Sequence, residues 1–168
     1  MIGAALAAAS LALAPVGELA FPRAWNGASL NGLSGLTRVA DDAYYAVRDS
    51  GGALFALTIG VDRATGMPTN CVVTGQTALA GRGDLECVAW DRARRWVWVG
   101  DEDDGSIRAF DPAMGAERTV VAVPAVFDAF RYNRSFEALT LRPDGLEMWA
   151  CNEEALCRRE AEGRTAKK

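Results

Sequence analysis

Asp84-Leu85-Glu86-Cys87-Val88-Ala89, followed by Val97-Trp98-Val99-Gly100-Asp101-Glu102, decides the fold, because the chain contains this pattern three times. The first copy is Gly32-Leu33-Ser34-Gly35-Leu36-Thr37 with Tyr45-Ala46-Val47-Arg48-Asp49, and the third is Ser135-Phe136-Glu137-Ala138-Leu139-Thr140 with Met148-Trp149-Ala150-Cys151-Asn152-Glu153. The anchors Ser34, Glu86 and Glu137 lie 52 and 51 residues apart, and the same spacings separate Asp49, Asp101 and Asn152. A repeat of about 50 residues, built from short strands and turns, is typical of a β-propeller.

The repeat predicts an all-β fold: a partial β-propeller with about three blade segments of four-stranded antiparallel sheet. Propellers usually have four to eight blades, and three copies take up most of this chain. We expect a leader at residues 1–22, a partial propeller domain at 30–157 and a charged tail at 158–168. Two explanations of the partial ring are left undecided at this point. The chain could be a truncated product, or it could be half of a propeller that associates with a second copy to complete the ring.

Strand and turn signals support this organisation. Predicted strands are rich in Val, Leu, Trp and Tyr, and glycine-containing turns separate them. The turns are Ser50-Gly51-Gly52, Asp104-Gly105 and Asp144-Gly145, and the strands are Tyr44–Val47, Leu54–Ile59, Trp96–Val99, Ile107–Phe110, Thr119–Val123 and Glu147–Ala150. The strand around Trp98 is apolar on both faces, which indicates packing between neighbouring blades. We therefore expect the tryptophans to be packing residues rather than ligand-stacking residues.

Composition excludes several classes of function. The net charge is −4 and no basic stripe is present, so nucleic acid is not expected as a partner. The absence of histidine excludes Ser-His-Asp and Cys-His catalysis and histidine-ligated zinc. Cys87 occupies a position where the other copies have Gly35 and Ala138, which predicts a buried packing residue. Cys151 and Cys157 are spaced for a loop-closing disulfide in an oxidising compartment.

The apolar run at residues 1–14 has the length of a signal peptide and is too short for a stable membrane span. It predicts export to a secreted, periplasmic or organelle-lumen location. An alanine-rich leader without a targeting role is the alternative.

These repeated segments resemble the esterase-like phytase domain family. Gly32–Leu36 with Tyr44–Asp49, Asp84–Ala89, Asp101-Glu102 with Ile107–Asp111, and Asn133–Leu139 with Asn152-Glu153 match its segments in order. The resemblance covers roughly residues 30 to 156 and implies an exported propeller that acts on phosphate or carboxylic esters. Cys87 and Ser135 stand where the family has glycine.

The repeat also places the candidate site. Equivalent positions of successive innermost strands form a ring around the axis of a propeller. The ring predicted here consists of Glu86 and Glu137 as the main metal ligands, with Asp101, Asn152 and Asp49 as further oxygen donors. Carboxylates gathered at one place repel each other unless a cation lies among them, and hard oxygen ligands suit Ca²⁺. The sequence therefore predicts a calcium site.

Structural roles for the same residues are open too. Repeated polar side chains can bond the backbone at the joint between blades, and Arg134 or Arg142 could pair with the glutamates in place of a metal. Asp101-Glu102-Asp103-Asp104-Gly105 lacks the spacing of an EF-hand loop, and Ser34 has no histidine base and is not expected to be a nucleophile. The leading function is an exported ester hydrolase with a divalent cation, while a non-catalytic binding propeller and an inactive truncated fragment are the alternatives.

Overall fold

The computed structural model describes residues 17–81, 83–129 and 135–154. A small N-terminal hairpin precedes two four-stranded antiparallel sheets and one two-stranded sheet. The hairpin consists of β1 (Ala24–Trp25) and β2 (Ala28–Ser29). The sheets are formed in turn by β3 (Leu33–Arg38), β4 (Ala43–Arg48), β5 (Ala53–Val61) and β6 (Pro68–Ala78); by β7 (Leu85–Asp91), β8 (Trp96–Asp101), β9 (Ser106–Phe110) and β10 (Glu117–Val120); and by β11 (Phe136–Leu141) and β12 (Met148–Asn152).

Each sheet runs in chain order from its first strand outwards, as a propeller blade does. The first strands of successive sheets, β3, β7 and β11, pack side by side, so they are the innermost strands. We call the sheets blades 1, 2 and 3. Blade 3 has two strands in the described part of the chain, and the sheets do not close into a ring. The prediction of an all-β partial propeller with three blade segments is confirmed.

The glycine turns lie where the sequence places them. Gly51, Gly105 and Gly145 all have positive φ angles and connect consecutive strands. Four predicted strands agree with β4, β5, β8 and β9, and Glu147–Ala150 begins one residue before β12. The predicted strand Thr119–Val123 is wrong at its boundaries, because β10 spans Glu117–Val120. A short 3-10 helix at Ala125–Ala129 follows it.

Two apolar cores hold the blades together. The first lies between blades 1 and 2, where Val47 and Leu54 pack against Val88 and Val97. The second lies between blades 2 and 3 around Cys87, Ile107 and Phe136. These residues are at most 4% exposed. Because apolar side chains are buried at both blade-to-blade joints, hydrophobic burial holds the innermost strands in their relative positions.

The tryptophans behave largely as the packing argument predicts. Trp90 packs edge-on against Tyr45 of blade 1, with ring centroids 5.7 Å apart, and Trp98 packs against the core between blades 2 and 3. Register makes Tyr45, Trp98 and Trp149 equivalent positions of the three blades. Trp149 is 53% exposed, because no described residue covers that face of blade 3. This side of blade 3 is therefore exposed at Trp149, whereas the equivalent residues of blades 1 and 2 pack against a neighbouring blade.

No helix in the described ranges is long and apolar enough to cross a membrane. Residues 1–16 of the predicted leader (1–22), the predicted tail at 158–168 and Cys157 lie outside the described residues. The Cys151–Cys157 disulfide and the export signal therefore stay predictions. Cys151 itself is exposed.

Candidate carboxylate site

The anchor of each repeat is a β-bulge. In all three blades the pairing between the first and second strands skips one residue, and the skipped residues are Ser34, Glu86 and Glu137. A bulge leaves its residue out of the ladder and re-aims the side chain, and bulges are frequent next to functional sites. The backbone thus presents the anchor side chains at one end of the innermost strands.

Strand register corrects the alignment of the acidic partners. Leu33 pairs with Arg48, whereas Leu85 pairs with Asp101 and Phe136 with Asn152. Asp49 is therefore equivalent to Glu102 and Glu153, and the predicted alignment of Asp49 with Asp101 and Asn152 is wrong by one residue. The hydrogen bonds agree, because the backbone N–H groups of these three acids donate to the carbonyls of Gly32, Asp84 and Ser135 respectively. The physical reason is that the first hairpin is one residue shorter than the other two.

Five acidic residues form the carboxylate cluster at this end of blades 2 and 3: Asp84, Glu86, Glu102, Glu137 and Glu153. They make two groups that share Glu102. One oxygen from each of Asp84, Glu86 and Glu102 lies within 4.8 Å of the others, and the same holds for Glu102, Glu137 and Glu153. The structure thus brings the predicted ligands Glu86 and Glu137 to one place, beside three acids that were not among the predicted ligands.

Glu102 joins the two blades. It is only 5% exposed, and its Oε1 accepts a hydrogen bond of 3.0 Å from the backbone N–H of Ser135 in blade 3. Two polar atoms beside it are buried without a hydrogen-bond partner, namely Asp84 Oδ1 and Ser135 Oγ. Asp84 and Ser135 hold equivalent positions, each just before the first strand of its blade. Buried oxygens of this kind are costly unless something binds them.

Electrostatic repulsion in the cluster shows in the pKa of Glu86. Burial, a hydrogen bond that protonated Glu86 donates to Asp84, and the negative charges of Asp84, Glu137 and Glu102 raise this pKa to about 7. A carboxyl group with a pKa near 7 holds its proton over much of the range in which ordinary glutamates are ionised. The cluster therefore favours any species that brings positive charge, either a proton or a metal cation.

The remaining predicted ligands have other contacts. Asp101 Oδ2 pairs with Arg108 Nη1 at 3.3 Å, and its Oδ1 accepts from the N–H of Asp103 at 3.1 Å. Burial is the main cause of a raised Asp101 pKa, which Arg108 opposes. The side-chain amide of Asn152 donates to the carbonyl of Glu154. Asp49 is exposed, with its carboxylate against Gly32. Among the described acids, neither Asp49 nor Asp101 belongs to a group that could hold a metal.

The structure also decides between some of the alternatives. Arg142 bonds to Asp144 and Glu147 in its own hairpin, so it does not neutralise the glutamates, and Arg134 lies outside the described residues. Ser34 does serve the joint between blades, because its hydroxyl donates to the carbonyl of Leu85.

Cys87 is the packing residue that the repeat predicts. It is only 3% exposed, and burial raises its thiol pKa to about 12.

Sequence reasoning noted Glu102 and Glu153 only as neighbours of the predicted ligands, and it missed Asp84. A repeat alignment that allowed for hairpins of unequal length would have found the first two. Asp84 has a weaker signal, because its equivalents are Gly32 and Ser135 and the position is acidic in one copy only. The five carboxylates together offer the all-oxygen environment that hard divalent cations take.

Comparison with known proteins gives one family match. The model of the family described as "Phytase-like: Esterase-like activity of phytase" matches residues 28–167. A search of curated protein sequences finds no match.

Solved structures similar to the chain include hydrazine synthase of Kuenenia stuttgartiensis, which is 19% identical with a TM-score of 0.47. Glutaminyl cyclase of Myxococcus xanthus is 11% identical with a TM-score of 0.48. The matches cover 71% and 74% of this chain but only 28% and 53% of those chains. The chain therefore spans about half or less of the length of these two structures.

Proposed function

The chain belongs to the phytase-like family, whose description is "Esterase-like activity of phytase". From this membership we propose that the chain is a hydrolase-like propeller domain. Its substrates in this proposal are phosphate or carboxylic esters, and its cofactor is a divalent cation, Ca²⁺, at the carboxylate cluster. The observation that carries the proposal is a pair of carboxylate groups that share Glu102: Asp84, Glu86 and Glu102 form one, and Glu102, Glu137 and Glu153 form the other.

The residues present fit a cation. The donor set consists of carboxylates, the ligands that Ca²⁺ prefers. Neither Glu86 nor Glu137 is ion-paired with a basic side chain of the described residues. The unpartnered Asp84 Oδ1 and Ser135 Oγ are two further oxygens at the same place. Asp84, Glu86 and Glu102 would hold an ion on the blade 2 side, and Glu102, Glu137 and Glu153 would hold one on the blade 3 side, so Glu102 serves either position.

A bound divalent cation supplies Lewis-acid polarisation of an ester carbonyl or phosphoryl oxygen. The chain itself supplies orientation. Each bulge fixes the direction of Glu86 or Glu137, and the Ser135 N–H holds Glu102 between the blades. The buried side chains of Cys87 and Phe136 lie behind the cluster and exclude water from that side. Without a cation the pKa of Glu86 is about 7, so Glu86 would release its proton when it ligates the ion.

Hydrolysis of chromogenic esters tests the proposal. We expect the purified chain to hydrolyse p-nitrophenyl phosphate or p-nitrophenyl acetate in the presence of calcium and to lose this activity in EDTA. Glu86→Gln and Glu137→Gln should lower kcat/KM by about 100-fold or more, which corresponds to about 3 kcal/mol of transition-state stabilisation. Glu18→Gln, an exposed glutamate outside the cluster, is the matched control. Calcium binding without turnover of either ester would instead support the binding propeller.

Self-association is the second part of the proposal, and the uncovered face of blade 3 supports it. Trp149 is equivalent to Tyr45 and Trp98, both of which pack against a neighbouring blade. The opposite face of blade 1 exposes Leu36, which is equivalent to the buried Val88 of blade 2. Trp25 and Leu30 of the N-terminal segment cover part of that face, and the part around Leu36 is where a second copy could meet blade 3 head to tail. Export, proposed from the leader, would give the protein its extracellular or periplasmic location.

A further inference from the structure

A second candidate binding site lies at the other end of the innermost strands. The carboxylate cluster gathers where β7 and β11 begin, whereas a cavity of about 670 Å³ opens where β3, β7 and β11 end. Its walls come from the first hairpin of each of the three blades. A cavity of this size is in the range of small-molecule sites. We call it the arginine pocket.

Each blade contributes one guanidinium to this pocket, from Arg38, Arg92 and Arg142. Within the described residues Arg92 has no hydrogen bond or ion pair, so its five N–H donors are available. Arg38 is oriented by Asp41, with Nε donating to the Ala40 carbonyl at 3.1 Å and Nη2 to Asp41 Oδ1 at 3.2 Å. Its Nη1 has no partner among these contacts.

The acids that line the pocket are already matched to basic groups. Asp91 is 1% exposed, and it accepts hydrogen bonds from the N–H and Nη1 of Arg94 and from Nε1 of Trp98. Asp41 pairs with Arg63 at 3.4 Å as well as with Arg38. These contacts leave the charge of Arg92 uncompensated at the mouth of the cavity, so an anion would be attracted there.

Apolar side chains also line the pocket. Trp90, Leu141 and Pro143 contribute to it, and Trp90 is half-buried with its ring held edge-on against Tyr45. A guanidinium next to an indole and an aliphatic side chain suits a ligand that joins an anionic group to an apolar body. An inorganic anion would contact the guanidinium but would leave the apolar side chains unused.

We propose that the arginine pocket binds small organic oxyanions, namely a phosphate or carboxylate group carried on an aromatic or aliphatic body. Arg92 is the main anion contact, Arg38 the second, and Trp90 the apolar platform. Binding at this site needs no divalent cation, because the pocket supplies positive charge itself. The inference is independent of the proposed hydrolase activity, which depends on the opposite end of the strands.

Isothermal titration calorimetry with phenyl phosphate in EDTA tests the inference. We expect millimolar or tighter binding by the wild-type chain and weaker binding of inorganic phosphate. Arg92→Gln should weaken phenyl phosphate binding by about 10-fold, as loss of a charge-assisted hydrogen bond does. Arg23→Gln, an exposed arginine away from the pocket, is the matched control and should bind as the wild type does.

Trp90→Phe provides a second readout, since it should remove a change of tryptophan emission on ligand addition while keeping the fold. No binding in EDTA, or equal binding by Arg92→Gln and the wild type, would overturn the inference. Binding that appears only with calcium would place the ligand at the carboxylate cluster. That result would refute ligand binding at the arginine pocket but would not contradict the hydrolase proposal.

Discussion

Glu102 of blade 2 accepts a hydrogen bond from the backbone N–H of Ser135 in blade 3, with 3.0 Å between Oε1 and nitrogen. The bond crosses a blade-to-blade joint and is buried on both sides. It ties the geometry of the carboxylate cluster to the packing of the two blades. A cation bound there would consequently stabilise the fold as well as serve the chemistry.

Calcium should raise the thermal stability of the chain. A ligand that binds only the folded state at about 100 times its Kd adds about 2.7 kcal/mol of unfolding free energy, which corresponds to several degrees in Tm for a chain of this size. Glu137→Gln should abolish the calcium-dependent rise, and Glu18→Gln should keep it. Differential scanning calorimetry with and without calcium measures the effect. A Tm that does not change with calcium in the wild type would refute the cation site.

Without a cation, stability should fall as pH rises from about 4.5 to about 7. The folded-state pKa of Glu86 is about 7 and its ordinary value is 4.5, so the folded chain binds more protons than the unfolded chain in this window. Unfolding free energy then decreases with pH. We expect a loss on the order of 1–2 kcal/mol, reduced from the full shift by solvent screening at a half-buried site.

Urea denaturation in EDTA at a series of pH values measures this slope, and Glu86→Gln should flatten it. Calcium should oppose the decline near pH 7, because the cation binds the ionised carboxylates. An equal slope in the variant and the wild type would mean that Glu86 is not the titrating group.

Trp149→Glu should reduce self-association. The wild-type residue is 53% exposed on the open face of blade 3, and a charge there cannot be buried in a joint without a large desolvation cost. Size-exclusion chromatography with light scattering should show dimers or larger species for the wild type and monomers for the variant. Met114→Glu, at an apolar position in the β9–β10 turn that is 65% exposed, should leave the mass unchanged. A monomeric wild type would refute the head-to-tail joint.

The repeat predicted the blades because strand pairing and turns are local properties of the sequence. The glycine turns and the buried strand around Trp98 can be predicted from the residues of each short segment alone. The equivalence of Asp49 with Glu102 and Glu153 could not be predicted in this way, because it depends on hairpin length and on bulges that only the strand register shows. The arginine pocket was not predicted, since its three guanidiniums follow no fixed spacing and come together only when the blades pack.

Native alkylation should distinguish the cysteines by burial. Cys87 is 3% exposed, with a pKa raised to about 12, so its reactive thiolate is scarce. Cys151 is exposed and should react with iodoacetamide first. Peptide mass spectrometry after brief labelling measures both. Rapid modification of Cys87 in the folded chain would contradict its packing role, and a Cys151 protected from the reagent until reduction would indicate the predicted disulfide with Cys157.

A double-mutant cycle at one cross-strand pair tests how the repeat accommodates different side chains. The pair next to each bulge is Gly35 with Val47, Cys87 with Gly100, and Ala138 with Cys151, so each of these pairs contains at least one small residue. A Cβ added at Gly100 would overlap Cys87 Sγ in a buried core.

Gly100→Ala alone should therefore destabilise the chain by about 1–3 kcal/mol, as overpacking does. Cys87→Gly combined with Gly100→Ala should recover much of that loss, because the pair then has the volume that the joint accommodates, and urea denaturation of the four proteins gives the coupling energy. Strict additivity would show that the two side chains do not share this space.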